Sequence, residues 1–170
     1  YAVNSTNQRL QIYPPSGTGS FNTGAMTDLR LTTTDSAPQA TGLVEMTVNL
    51  PAAAAAPTNP VFDPLDPSSY TQSTSMTVYD SLGAAHTSTY YFVKGAVPGA
   101  WDVHTYIDGN AVGGATGLTY TSAGLLATPA GGLIPLPAYD PANGAAPISL
   151  TVDLGDSTQF GGPFGVNSLT

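Results

Sequence analysis

Charged side chains are scarce in this sequence of 170 residues. Lysine and arginine together number 3, aspartate and glutamate number 11, and charged residues make up 8% of the chain. A typical globular domain carries about 25% charged residues. Coiled coils and long surface helices need Glu, Lys and Arg in quantity, so the composition argues against a mainly helical fold. The net charge of −8 disfavours nucleic acid and anionic membrane surfaces as partners, because both are bound through basic residues.

Cysteine is absent, and its absence excludes disulfides, thiolate zinc sites and cysteine nucleophiles. Long apolar runs are also missing, since none approaches the roughly 20 residues that an α-helix needs to span a bilayer. No signal peptide is recognisable, and the chain begins with Tyr1 rather than Met. We therefore expect an excised or trimmed piece of a longer protein. Hydrophobic residues still make up 41% of the chain, which argues against disorder.

Alternating polar and apolar residues predict β-strands, most clearly between residues 75 and 107. Asp80-Ser81-Leu82-Gly83 is typical of a tight turn, with Asp at its start and Gly where a positive φ is needed. Pro98-Gly99 breaks the chain a second time. We predict three antiparallel strands in meander order, at 75–79, 86–93 and 101–107.

Further strands are predicted with a weaker signal, and the whole pattern indicates an all-β antiparallel barrel or sandwich. Two segments are predicted to be loops: 51–70, which is rich in Pro and Ala and packs over the sheet, and 129–147, which is rich in Pro, Gly and Ala. A single helical turn at 52–56 is the only helical signal, and Pro57 ends it. The additional strands are expected within 8–13, 27–33, 42–50, 117–121 and 147–154.

Two segments, 32–38 and 153–158, have the composition of linkers. If both are linkers, the central part of the chain is an insertion whose two ends enter from a second, partial domain. We therefore predict an outer β-barrel or sandwich domain over 38–153. Residues 1–37 and 154–170 would together form part of an intermediate β domain.

The two histidines, His86 and His104, are the first candidates for chemistry. With Asp80 or Asp102 they could form a metal site, or with Ser81 a catalytic triad. No ligand spacing supports the metal, and no glycine-flanked serine supports the triad. We favour a structural interpretation, in which His86 bonds to the backbone of the hairpin turn and His104 lies on the solvated strand face.

Most of the carboxylates are predicted to accept hydrogen bonds within turns, where Asp usually bonds to local backbone. A glycosidase pair and a calcium loop at Asp63, Asp66 and Ser68 are the alternatives, but the loop lacks the required Gly and terminal Glu. Gly113-Gly114 and Gly131-Gly132 precede no basic residue and no helix, which disfavours a phosphate site. No catalytic, metal or cofactor-binding residue is predicted from these patterns.

Several stretches resemble the bacterial flagellar hook proteins. The most specific block comprises Thr77-Val78-Tyr79-Asp80-Ser81-Leu82-Gly83 with His86, then Tyr91-Phe92-Val93-Lys94, then Trp101-Asp102-Val103. The similarity extends to Leu118-Thr119-Tyr120, Ile148–Leu154 and Phe164–Leu169. Upstream, Arg9–Pro14 is similar to a strand of the family, with Ile12 in place of a glycine. The loops at 51–70 and 127–147 carry little of the resemblance.

The resemblance implies a structural role without catalytic residues or cofactors. Subunits of this family polymerise into the curved hook outside the cell, a universal joint between rod and filament. It implies export by the flagellar export apparatus, and as partners other copies of the subunit, the hook cap and the hook–filament junction proteins. The terminal helices of the family are absent from this chain, so we expect the chain alone to be a monomer.

Two functional hypotheses stand beside the structural one. The runner-up is an extracellular, adhesin-like β-domain that binds a ligand or carbohydrate through Tyr90, Tyr91 and Trp101, although such rings more often fill a core. The third is a hydrolase that uses His86 and His104. For the hook subunit itself, the scarcity of charge predicts weak contacts between outer domains that slide as the joint turns.

Overall fold

The computed structural model describes residues 1–17, 19–30 and 36–169, which fold into strands, turns and loops. The described residues form no helix, and therefore none long and apolar enough to cross a membrane. Two compact units are present, Tyr1–Ala37 and Pro38–Thr170. The strands are β1 (Gln11–Ile12), β2 (Thr27–Asp28), β3 (Leu43–Asn49), β4 (Gln72–Tyr79), β5 (Ala85–Lys94), β6 (Ala100–Ile107), β7 (Asn110–Ala111), β8 (Thr116–Tyr120), β9 (Leu126–Thr128), β10 (Leu133–Pro135), β11 (Thr151–Asp153) and β12 (Gly165–Leu169).

The first unit is built on a two-stranded antiparallel sheet of β1 and β2, with Gln11 opposite Asp28. Both strands lie inside the segments predicted for them but are shorter. The Arg9 guanidinium donates to the Asp28 carboxylate at 2.8 Å and lies over the Tyr1 ring. Most of the predicted first linker, residues 32–35, lies outside the described residues.

The second unit contains a six-stranded sheet in the order β4-β5-β6-β8-β9, with β7 paired to β6. The pairs β4–β5 and β5–β6 are antiparallel, which confirms the predicted meander. Side chains alternate between the two faces of each strand. Trp101, Val103 and Ile107 consequently all point into the core, as the alternation along β6 predicts.

A four-stranded sheet in the order β10-β11-β3-β12 lies in the same unit. The all-β prediction is confirmed, but the sheet is mixed, since β11 runs parallel to β3. Parallel neighbours require a long crossover connection, and the six-stranded sheet lies in sequence between these two strands. Both sheets contribute to one hydrophobic core, which includes Val44 and Val48 of β3 and Tyr90 and Phe92 of β5.

The segment 153–158 is a packed connection rather than the exposed linker that its composition suggested. Leu154 and Ser157 are buried. The Thr158 amide donates to the Val48 carbonyl at 2.8 Å, and the Leu50 amide donates to the Thr158 carbonyl at 2.8 Å. The following strand β12 pairs with β3. By its contacts, 154–170 groups with the second unit, and its membership of an intermediate domain with 1–37 stays a prediction.

Candidate functional site

A cluster of polar side chains lies at one end of the six-stranded sheet. His86 is on β5, Asp80 begins the β4–β5 turn, and Asp108 lies in the β6–β7 turn. Because β5 pairs with both β4 and β6, the two turns come together beside His86. The Asp80 side chain also holds its own turn, accepting hydrogen bonds from the Leu82 and Ala84 amides at 2.8 and 2.9 Å.

The His86 ring is held between the two carboxylates. Its Nδ1 lies 2.6 Å from Asp108 Oδ2 and its Nε2 lies 3.2 Å from Asp80 Oδ2. Ionised carboxylates only accept hydrogen bonds, so this geometry favours the imidazolium form of His86, in which both ring nitrogens donate. His86 and Asp80 are both buried. The cluster is therefore a charge-assisted network that ties two turns together.

The pKa values in this cluster are displaced in the directions that the network requires. The hydrogen bond to Asp108 raises the pKa of His86, with a further rise from Asp80 and an opposing effect of burial. The hydrogen bond from His86 lowers the pKa of Asp108. The pKa of Asp80 is lowered chiefly by the Asn143 side-chain amide, which donates to Asp80 Oδ2 at 2.6 Å. The network therefore also anchors the loop that carries Asn143.

The expectation that His86 bonds to turn backbone is wrong, because its partners are side chains: Asp80 of its own hairpin turn and Asp108, which is 22 residues away. The triad hypothesis has no geometric support either. Both ring nitrogens face carboxylates, and Ser81 Oγ accepts a hydrogen bond from the Ala146 amide at 2.9 Å. No nitrogen is left to accept a proton from a nucleophile. The arrangement can fasten loops but cannot activate a serine.

His104 does not lie on a solvated face, contrary to the sequence-based expectation. Its ring stacks on Phe62 with the centroids 3.7 Å apart, and burial lowers its pKa. Phe62 belongs to the segment 51–70, so the prediction that this segment packs over the sheet is confirmed. The other rings around Phe62 are Tyr70, Tyr91 and Tyr106.

The three aromatic residues suggested as a carbohydrate platform do not share a surface. Tyr90 and Trp101 are buried in the core, with 0% and 1% of their surface exposed. Tyr91 follows Tyr90 on β5 and points to the opposite face, where it contacts Phe62 edge-on. The rings therefore pack on opposite faces of the sheet. They cannot form one flat surface on which a sugar could stack.

Lys94 is a buried cation that the sequence patterns did not single out. Its Nζ donates to three backbone carbonyls in the β5–β6 turn, those of Gly95, Val97 and Ala100, at 3.0–3.1 Å. Only 7% of its surface is exposed, and burial lowers its pKa. Lys94 is the one Lys or Arg of residues 38–170. The described surface of the second unit consequently displays no basic Lys or Arg side chain.

Carboxylates outside the His86 cluster either accept hydrogen bonds within turns or line an open cleft. Asp63 accepts from the Leu65 amide at 2.9 Å, and Asp66 accepts from the Asn59 amide and Ser68. Glu45, Asp153 and Asp156 line a cleft of about 510 Å³. Among the residues that the structure describes, no group of three or more His, Asp or Glu is placed to hold one metal ion.

Comparison with known proteins decides the family. The family described as "Flagellar basal body protein FlaE D2 domain" matches residues 49–170, which is 122 of the 170 residues. The chain belongs to this family. The resemblance to hook proteins seen in the sequence is thereby confirmed.

A curated relative is the flagellar hook protein FlgE of Escherichia coli (strain K12), which is 32% identical to the chain over 162 residues. The alignment covers 92% of the chain and 40% of the relative, so the chain spans less than half of that protein. A solved structure, a 32 kDa fragment of the hook protein FlgE from Caulobacter crescentus, is 18% identical with a TM-score of 0.48. The match covers 58% of this chain and 45% of that fragment.

The sequence block in which the resemblance to hook proteins is most specific contains two residues of the network, Asp80 and His86, together with Gly83 of the turn. The other two network residues, Asp108 and Asn143, lie outside it. Gly83 has a φ of 82°, as the turn requires, and donates its amide to the Asp80 carbonyl. In this chain the motif therefore has a structural explanation: it fastens the β4–β5 turn to two neighbouring loops.

We expect the fluorescence of the single tryptophan, Trp101, to separate the FlaE D2 assignment from the carbohydrate-binding alternative. Because the ring is buried in an apolar core, its emission should be blue-shifted in the native chain and red-shifted after unfolding. Titration with a panel of glycans should leave the emission of the native chain unchanged. Saturable quenching or a shift on glycan addition would instead favour the ligand-binding hypothesis.

Proposed function

We propose that this chain is part of a structural subunit of the bacterial flagellar hook. The observation that carries the proposal is membership of the FlaE D2 family, supported by 32% identity to a hook protein over nearly the whole chain. The fold agrees with a structural role, since its buried ionisable groups bond to turns and loops rather than to an open site.

The proposal extends to location, partners and domain organisation. The subunit is exported by the flagellar export apparatus and works outside the cell, in the curved tube that joins rod and filament. It contacts other copies of itself, with the hook cap and the hook–filament junction proteins at the ends of the tube. It is not an enzyme. Residues 38–153 form the outer domain, and 1–37 with 154–170 belong to an intermediate domain.

Weak contacts between outer domains follow from the distribution of charge. Nine acidic residues and one basic residue lie in 38–170, whereas 1–37 carry two of each, so the net charge of −8 belongs to the second unit. The one Lys or Arg of the second unit, Lys94, is buried against carbonyls. Neighbouring outer domains therefore have no Lys or Arg with which to form directional ion pairs. Contacts of exposed polar groups contribute little each, and neighbouring domains can slide past one another as the joint turns.

Deletion of the gene is expected to abolish swimming and to leave cells without hooks, as seen by electron microscopy of the flagellar bases. The intact gene supplied in trans should restore both. Antibody against the chain should label the hook segment of isolated flagella. Normal hooks and swimming in the deletion strain would contradict the proposed function.

The same strain tests the sliding contacts. Lysines at three exposed sites, introduced as Thr77→Lys, Thr119→Lys and Ser122→Lys, would give neighbouring carboxylates cations to pair with. We expect swimming speed to fall at least twofold, with partial recovery in high salt, because salt screens exposed ion pairs. The matched control has glutamine at the same three sites. Unchanged motility with the new salt bridges formed would contradict sliding.

A further inference from the structure

Residues 59–69 form a loop, hereafter the 59–69 loop, that is ordered by its own hydrogen bonds. The Asn59 side-chain amide donates to Asp66 Oδ2 at 2.9 Å, and the Asn59 backbone amide donates to the Ser68 carbonyl at 3.1 Å. The buried Ser69 hydroxyl shares its one hydrogen between the Asp63 and Asp66 carbonyls, whose oxygens lie 2.7 and 2.8 Å away. Stacking of Phe62 on His104 anchors the loop to the sheet. The loop therefore holds one shape before any partner arrives.

Two aliphatic side chains project from this ordered loop into water. Val61 is 70% exposed and Leu65 is 89% exposed, whereas Phe62 between them is turned towards the sheet. The local hydrogen bonds fix the backbone on both sides, since the Val61 amide donates to Asn59 and the Leu65 amide to Asp63. With the backbone in this conformation, both side chains leave most of their surface open to solvent. Their burial against a partner would be favourable, because it removes apolar surface from water.

The charge of the second unit restricts which attraction can act between two copies. Its described surface carries carboxylates and no exposed Lys or Arg, because Lys94 is buried. Two copies of the second unit therefore repel at long range and cannot hold each other by Lys–Asp or Arg–Glu pairs. An apolar contact is an attraction that remains between identical anionic surfaces, and salt strengthens it by screening the repulsion.

The small apolar area of Val61 and Leu65 indicates that a contact through them forms only within an assembly. Two aliphatic side chains and their surroundings bury a few hundred Å² at most, well below the roughly 1,200 Å² of a stable protein–protein interface. In dilute solution the chain should therefore be a monomer. In an assembly, other parts of the subunits hold copies side by side at an effective concentration of about millimolar or more, and a weak contact becomes populated.

We propose that the 59–69 loop is a contact between copies of this chain, in which Val61 and Leu65 pack against the neighbouring copy. This inference rests on the proposed function, because the assembly supplies the neighbouring copy. A contact of this kind has no directional bond, so it can shift while the copies stay together.

The test uses thiol labelling, because these 170 residues contain no cysteine, and labelling of the unsubstituted protein gives the background of the rest of the subunit. Leu65→Cys is placed in the native gene, and Leu82→Cys, at a side chain 61% exposed in the β4–β5 turn, is the matched control. Labelling by a maleimide is timed in isolated hooks and in subunits dissociated from them. The thiol of the Leu65→Cys variant should react at least tenfold more slowly in hooks than in dissociated subunits. The thiol of the Leu82→Cys variant should react at similar rates in both.

The outcomes separate this inference from the proposed function. If the Leu65→Cys variant reacts equally fast in hooks and dissociated subunits, or if the Leu82→Cys variant is slowed as much, the loop contact is refuted and the hook function stands. Slow labelling of the Leu65→Cys variant in the dissociated subunit would also refute it, since the subunit itself would cover the loop. If isolated hooks contain none of this protein, both proposals fail.

A second measurement uses the purified chain at high concentration, where weak attraction lowers the second virial coefficient in static light scattering. Raising the salt concentration should lower the coefficient of the native chain. Leu65→Asp should raise it more than Leu82→Asp, which adds the same charge at the control site. Equal effects of the two substitutions, or attraction that weakens as salt is added, would overturn the apolar contact.

Discussion

Gly132→Ala is expected to lower the free energy of unfolding by about 3–5 kcal/mol, among the largest effects of a single methyl group. Gly132 is buried directly before β10 with a φ of 76°, a conformation that costs alanine about 1–2 kcal/mol. A Cβ at this position would also overlap the backbone nitrogen and Cα of Gly155. The overlap involves backbone on both sides, so no side chain can move aside to relieve it.

The neighbouring glycine provides the control for this prediction. Gly131 has a φ of 75°, but a Cβ there meets no atom within 4 Å. Gly131→Ala should therefore cost only the backbone strain, about 1–2 kcal/mol. Urea unfolding of both variants, followed by the fluorescence of Trp101, measures the difference. Equal losses at the two positions would show that the close approach to Gly155 has no energetic consequence.

His86→Ala is expected to lower the free energy of unfolding by about 2–3 kcal/mol near pH 6, because it removes two hydrogen bonds between charged groups at a buried site. The loss should depend on pH. The pKa of His86 is raised above its ordinary 6.5, so its contribution is complete below pH 6.5 and declines as the pH rises through the folded value.

Asp80 and Asp108 determine how the contribution of the His86 network to stability declines at low pH. The pKa values of Asp80 and Asp108 are lowered from 3.8, so their contributions are complete above pH 3.8 and are lost as the pH falls through the folded values. The difference between wild type and His86→Ala should therefore be largest between about pH 4 and 6.5. Denaturant unfolding at a series of pH values measures it.

His104→Gln is the control for the pH profile. Burial lowers the pKa of His104, so protonation of this ring favours the unfolded state below about pH 6.5. His104→Gln should therefore reduce the loss in the free energy of unfolding below about pH 6.5. The loss above pH 6.5, which comes from His86, should stay unchanged. If His86→Ala retains the alkaline decline of wild type, the bridging imidazolium is not its source.

Local patterns predicted local structure well. The alternation along β6 identified the strand and its buried face, because a strand places every second side chain on one side. Enrichment in Thr and aromatic residues identified β5 as a strand. Asp80 and Gly83 identified their turn, because the Asp side chain bonds to amides two and four residues later. The parallel pairing of β3 with β11 was not visible, since it depends on a crossover through the whole second unit.

The partners of the polar residues were hidden for the same reason. Asp108 lies 22 residues from His86, and Asn143 lies 63 residues from Asp80. No local spacing indicates that these side chains meet, and the histidine was consequently assigned to the turn backbone. The packed segment 153–158 has the composition of a linker, and only its pairing with β3 shows that it is part of the core.

The burial of Lys94 has a consequence for the durability of a protein that we place outside the cell. Proteases that cleave after lysine or arginine find one such bond between residues 38 and 170, the one that follows Lys94. Its side chain is buried and held by three carbonyls of the turn that would have to open for cleavage. The whole second unit is thus shielded from that class of enzyme by the position of a single residue.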